Sequence, residues 1–191
     1  MILGITGGSG SGKTTLLNLI RQAGGLVLDC DAIYHRLLQT DSDLLSAIDA
    51  QFPGTVEKGQ LNRKKLGSIV FADEDALLQL NAITHSAVKK EVLRRLEANP
   101  KLAAIDAIAL FEGGLAELCD ITVAVTAPAQ QRIDRLMARD GISEEYARSR
   151  IAAQHDDSWF RQHCDHMLEN NGNLADYTNN CLAFLKEQGI M

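Results

Sequence analysis

Cysteine is scarce and scattered. Cys30, Cys119, Cys164 and Cys181 form no C-x-x-C pair, which argues against a disulfide framework and a structural zinc site. Positive charge is also in short supply: 19 Lys and Arg stand against 25 Asp and Glu, a net charge of -6. That excludes the broad basic surface of a nucleic-acid binder. No apolar run approaches the ~20 residues that cross a bilayer, and the longest is interrupted by Asp106. The chain opens on a core-like strand instead of a charged leader followed by an apolar segment, so a cytoplasmic protein with no membrane partner is expected. There is no internal repeat, low-complexity tract or flexible linker. With 46% hydrophobic and 23% charged residues, disorder and fibre are excluded as well. The length, 191 residues, suits one domain of ordinary size with room for an embedded subdomain.

What is present begins at Gly7-Gly8-Ser9-Gly10-Ser11-Gly12-Lys13-Thr14, a G-x-x-x-x-G-K-[ST] phosphate loop. Ile2–Thr6 before it reads as a short buried strand, and the apolar spacing after Thr15 reads as a helix. Glycines permit positive φ and close approach, so backbone N–H groups can point at phosphate oxygens. The helix N-terminus adds partial positive charge. Gly8, Gly10, Ser11, Gly12 and Thr15 therefore join Lys13 as candidate ATP-binding residues. Lys13 supplies a point charge for the β and γ phosphates, and the Thr14 hydroxyl is placed for Mg2+. Guanine-reading N-K-x-D is absent.

Leu26–Asp29 reads as a second strand running into Asp29-Cys30-Asp31. In a doubly wound sheet ligands collect at strand carboxyl ends, so either aspartate could act as a base near a γ phosphate. Asp31 equally suits a helix N-cap. From Asp41 to Asn99 the pattern is helical without evident strands, ending at Asn99-Pro100. His85 lies within it, as a functional or merely structural histidine. The apolar run Leu102–Phe111 predicts a central parallel strand, with Glu112 at its carboxyl end. Ile121–Thr126 is a further strand, closed by Ala127-Pro128. Arg132, Arg135 and Arg139 follow at spacings of three and four, on one helix face. With a second helix capped by Ser143 and a hinge at Asp140-Gly141, they predict a lid whose guanidinium groups grip phosphate; pairing with Asp134, Asp140 and Glu144 is the alternative. A short strand near Met167-Leu168 and a helix over Leu174–Glu187 complete the pattern.

Together these residues resemble the dephospho-coenzyme A kinase family over nearly the whole length. The resemblance is carried by Thr6-Gly7-Gly8 through Thr15, Asp29-x-Asp31, Leu61-Asn62-Arg63-Lys64-Lys65-Leu66-Gly67, and Leu80-Asn81-Ala82-Ile83-Thr84-His85. It continues through Leu110-Phe111-Glu112, Arg135-Leu136-x-x-Arg139-Asp140, Arg150-Ile151-x-x-Gln154 and Asn170-Asn171-Gly172. Three features depart from the family pattern. Ser86 replaces a proline after the histidine, Ile108-Ala109-Leu110 lacks a proline before Phe111-Glu112, and Arg132 stands where glutamine is usual.

The resemblance implies an α/β P-loop kinase fold, a five-stranded parallel sheet flanked by helices. It implies a single domain over 1–191, with a nucleotide-binding core at about 1–31, 101–128 and 164–191. A helical substrate-binding insertion would occupy about 32–100 and a helical lid about 129–163. It implies ATP-dependent phosphorylation of the ribose 3′-hydroxyl of dephospho-coenzyme A, with Mg2+ and without nucleic acid. Asp31 would be the base, Lys13, Arg135 and Arg139 would steady the phosphoryl group, and His85 and Glu112 would face the substrate with Asp31. Another small P-loop kinase, or a nucleotide-dependent switch, would share the loop but not the later motifs. The sequence carries no signal of oligomeric state.

Overall fold

In a computed structural model describing residues 1–191, the first strand, β1, spans Ile2–Thr6. Leu3 and Ile5 are wholly buried, as a strand covered on both faces requires. Gly4 lies between them because a β-carbon there would stand 2.8 Å from Cys119 Sγ and 2.9 Å from Leu110 Cδ2. After the glycine loop, α1 (Lys13–Gln22) buries Leu16, Leu17, Leu19 and Ile20. It stops where Gly24 turns left-handed at φ 81.

The chain continues through β2 (Leu26–Asp29), α2 (Cys30–Thr40), α3 (Ser42–Gln51), β3 (Val56–Glu57) and β4 (Gln60–Leu61). Next come α4 (Arg63–Val70), α5 (Glu74–Leu96), β5 (Ala103–Asp106), a 3-10 turn at Ala116–Leu118 and β6 (Ile121–Thr126). Then follow α6 (Ala129–Asp140), α7 (Glu144–Ala152), α8 (Asp157–His163), β7 (His166–Glu169) and α9 (Leu174–Glu187). The five-stranded parallel sheet has the order β2-β5-β1-β6-β7. At its centre Leu3 pairs with Ala104 on one side and Ile121 on the other. The core on the α1 and α9 face joins Leu3, Ile5, Leu16, Ile20, Val123, Val125, Tyr177, Phe184 and Leu185. Truncating any of the fully buried leucines or isoleucines to alanine costs roughly 2–5 kcal/mol.

The chain divides into two units. One holds 1–28, 100–110 and 116–191, and carries the sheet, the glycine loop and α6 to α9; the other holds 29–99 and 111–115. In the second, α5 is the hub against which α2, α3 and α4 pack. Asp41, Asn62 and Asp73 cap α3, α4 and α5 through side-chain oxygens, each satisfying N–H groups that a helix start leaves unpaired. With Ser86 in place of proline, α5 runs unbroken through His85. No helix is long and apolar enough to cross a membrane.

Two expectations are corrected. The strand predicted over Leu102–Phe111 ends at Asp106, and residues 108–114 form turns. Ala107 and Leu110 are buried in that segment, and burial alone gives a turn the same apolar composition as a strand. Glu112 is thus not at a strand end. The segment expected to be wholly helical also contains the β3–β4 hairpin, whose two turn residues, Lys58 and Gly59, take φ 52 and φ 74. Such a turn normally advertises itself as Asn-Gly or Asp-Gly; Lys-Gly carries no such signal.

Candidate active site

The loop between β1 and α1 turns left-handed at Gly7, Gly10 and Gly12, with φ 126, 79 and 106. Its outer side is held by side chains from elsewhere in the same unit. Arg132 Nε donates to Ser9 O at 3.0 Å, Arg135 Nη1 to Gly10 O at 3.0 Å, and Asn170 Nδ2 to Ser11 O at 2.8 Å. A trans peptide points its C=O and N–H in opposite directions. Tying back the carbonyls of Ser9 and Ser11 therefore turns the amides of Gly10 and Gly12 to the other side, as a phosphate cradle needs.

Space explains the glycines. A β-carbon at Gly8 would sit 2.0 Å from Arg132 Nη2, and one at Gly12 would sit 2.3 Å from Asn170 Nδ2. Helix α1 begins at Lys13 with no side chain capping its N-terminus and no acidic residue in its first turn, leaving the positive end of its dipole to an anion. The Ser11 hydroxyl is buried without a protein partner. These features fit a bound polyphosphate. Lys13 Nζ donates to Gly7 O at 2.7 Å, which stations the ammonium across the loop. The Thr14 side chain is on an exposed residue at the same helix end. No cluster of three His, Cys, Asp or Glu side chains is present to cage a cation. The Thr14 hydroxyl is a hard oxygen donor of the kind that Mg2+ takes beside phosphate oxygens and water.

The predicted arginine face does not act as one group. Arg132 is only 7% exposed and Arg135 is partly buried, and both bond to the loop backbone. Arg139 instead makes two bonds to Asp140, at 2.7 and 2.9 Å, and Arg150 joins the same carboxylate at 3.0 Å. Those arginines hold the Asp140 carboxyl below its ordinary range, Arg139 foremost. The alternative pairing with Asp140 thus occurs for Arg139, while Glu144 pairs with Arg148. Gly141 turns left-handed at φ 65 to end α6, and Ser143 caps α7. A small core of Ile133, Leu136 and Ala147 joins the two helices.

The family model described as CoaE, dephospho-CoA kinase, matches residues 1–176. The chain belongs to the dephospho-CoA kinase family. A dephospho-CoA kinase from Thermus thermophilus is 37% identical over 98% of this chain and 91% of the relative. The solved structure of TT1252 from Thermus thermophilus superposes with a TM-score of 0.81, at 35% identity over 98% of this chain and 97% of that one. The solved dephospho-CoA kinase from Campylobacter jejuni has a TM-score of 0.69, at 25% identity over 100% and 98% of the two chains. The protein is accordingly a kinase that transfers phosphate to a hydroxyl group.

Within this kinase the two aspartates separate by secondary structure. Asp29 ends β2 and caps α2, accepting from the Ala32 N–H at 2.9 Å. Asp31 lies in the first turn of α2 and is exposed, so the cap suggested for it belongs to Asp29. His85 lies at mid-length in α5, half-buried, and Glu112 lies exposed in the turn segment after residue 110. Asp31, His85 and Glu112 all belong to the second unit, while Gly8 to Thr15, Arg135 and Arg139 belong to the first.

Sequence reasoning misses the task of three residues that shape the kinase loop. Arg132 is read there as one of three lid arginines gripping phosphate and as a departure from the family pattern, whereas its guanidinium holds Ser9 O and Gln154. Gln154 and Asn170 stand inside quoted motifs without an assigned task. Their partners lie 145 and 159 residues away, at Ser9 and Ser11, beyond any spacing argument.

Proposed function

We propose that this chain phosphorylates the ribose 3′-hydroxyl of dephospho-coenzyme A with ATP, giving coenzyme A and ADP, and that it does so in the cytoplasm, where ATP is abundant. The observation that carries the reading is the loop itself: carbonyls tied outward, an uncapped helix end, and a lysine stationed across the turn.

On this reading the Gly8, Gly10, Ser11 and Gly12 backbone and Lys13 bind the triphosphate, with Thr15 in the first turn of α1. The Thr14 hydroxyl would hold Mg2+, which when bound would supply neutralising charge to the transferring group. Asp31 accepts a hydrogen bond from the 3′-hydroxyl and orients it. The 3′-oxygen attacks the γ phosphorus as the bond to the β-phosphate oxygen breaks, and the hydroxyl proton passes late to the Asp31 carboxylate. His85 and Glu112 contact the acceptor. Arg135 and Arg139 contact phosphate oxygens, for which Arg139 must leave Asp140 and Arg135 must release the carbonyls of Gly10 and Ser11. A guanidinium held by an exposed carboxylate exchanges partners at small cost.

The test is ADP release with and without dephospho-coenzyme A, and with adenosine or AMP in its place. The reading expects release that depends on dephospho-coenzyme A. Equal release with adenosine would assign the loop to a nucleoside kinase, and release without an acceptor would point to a hydrolytic switch.

A further inference from the structure

Around Ser9 three polar groups are satisfied by two side chains. Gln154 Oε1 accepts from the Ser9 N–H at 2.9 Å, Gln154 Nε2 donates to Ser9 Oγ at 2.8 Å, and Arg132 Nε donates to Ser9 O at 3.0 Å. The two side chains also bond to each other, Arg132 Nη2 donating to Gln154 Oε1 at 2.8 Å. Arg132 comes from α6, and Gln154 lies just past the end of α7. The hydrogen bonds of this guanidinium go to Ser9 and Gln154, and none goes to a carboxylate.

Burying a guanidinium against neutral acceptors is costly in isolation. The cost falls when anionic oxygens arrive nearby, so an arginine kept here favours the nucleotide-bound loop. The fork geometry matters too: Nε and Nη2 address two different acceptors at once, which a lysine ammonium on a flexible stem does not reproduce.

We propose that Arg132 and Gln154 act as one positioning pair that preforms the phosphate loop for the donor nucleotide, so that their loss is read in ATP affinity and not in the chemical step. Resting on the kinase reading above, the pair clamps Ser9 at its N–H, C=O and hydroxyl, and the Gly10 amide is turned inward as a consequence. Neither side chain needs to touch substrate.

The experiment measures ATP binding by calorimetry, together with kcat and both Michaelis constants, for the wild type, Arg132→Lys, Gln154→Leu and the double variant. Each single change should raise the ATP Kd about tenfold, the worth of one or two bonds to a buried group. The double variant should be no more than about twofold worse than either single one, since the residues act as a unit. The kcat at saturating ATP should stay within about threefold, and the Michaelis constant for dephospho-coenzyme A should not move. An ATP Kd within about twofold of wild type, whatever the melting temperature does, would reduce the pair to a structural role. Wild-type affinity in Arg132→Lys alone would assign the effect to charge, and independent, additive losses would dissolve the pair; either overturns the proposal. If Arg132→Lys does not fold, half-buried Gln154 decides the matter by itself. A wild-type protein that bound no ATP would instead sink the kinase reading.

Discussion

Asp29 and Asp31, two residues apart, are assigned to different tasks by the start of α2: Asp29 Oδ1 caps the helix through the Ala32 N–H at 2.9 Å, while Asp31 is in the first turn with its carboxylate exposed. Asp31→Asn should therefore leave the cap intact and preserve both melting temperature and ATP affinity. Turnover should fall by a factor on the order of a hundred or more, as for loss of a general base. Asp29→Ala should cost about 1 kcal/mol of stability through the lost cap, and Asp29→Asn, which still caps, much less. Steady-state kinetics beside thermal melts separate the two. Near-normal turnover in Asp31→Asn, with loss in folded Asp29→Asn, would reverse the roles.

Lys13→Ala should fold normally and lose nearly all turnover. Its ammonium donates to the backbone carbonyl of Gly7 at 2.7 Å, within the loop itself. Retention of more than about a tenth of wild-type kcat/KM, under about 1.4 kcal/mol of transition-state stabilisation, would contradict its role.

Gly12→Ala should abolish ATP binding while the sheet still folds. The new β-carbon would meet Asn170 Nδ2 at 2.3 Å on a backbone at φ 106, so the bond that holds the Ser11 carbonyl must break. Isothermal titration with ATP, alongside circular dichroism for the fold, checks this. Unchanged affinity would mean that the Asn170 tie is dispensable.

If Arg139 moves from Asp140, which it now holds by two bonds, to phosphate as proposed above, Arg139→Ala should lower kcat more than it raises the Michaelis constant for dephospho-coenzyme A. If only that Michaelis constant rises, Arg139 serves ground-state binding and the lid reading of α6 is lost.

Glu91 predicts a pH dependence. Its side chain is 11% exposed and accepts from Arg94, Arg95 and Arg36, with Arg94 the leading cause of a carboxyl held far below its usual range. A depressed carboxyl stabilises the fold fully above its unfolded value of about 4.3 and loses that contribution as pH falls toward its folded value. Glu91→Gln should cost roughly 1–2 kcal/mol at pH 7. The difference from wild type in urea denaturation should shrink as pH drops below about 4. A gap that is constant with pH would remove the electrostatic account.

The strand–loop–helix opening of residues 2–22 is legible in the sequence because its signals are local: a buried run, glycines where φ turns positive, and apolar residues at helical spacing. The same holds for α9, whose limits Leu174 and Glu187 follow from periodicity and the glycine beyond. Motif order over the chain is enough to indicate the family. Where the apolar run after residue 102 stops being a strand is settled by the folded chain, since Ala107 and Leu110 are buried by packing and not by sheet pairing. Folding alone also brings Arg132, Gln154 and Asn170 to the loop. Each meets a backbone carbonyl, amide or hydroxyl more than 120 residues away, and a backbone group presents the same chemistry at every position, so no residue type or spacing announces which one a distant side chain will hold.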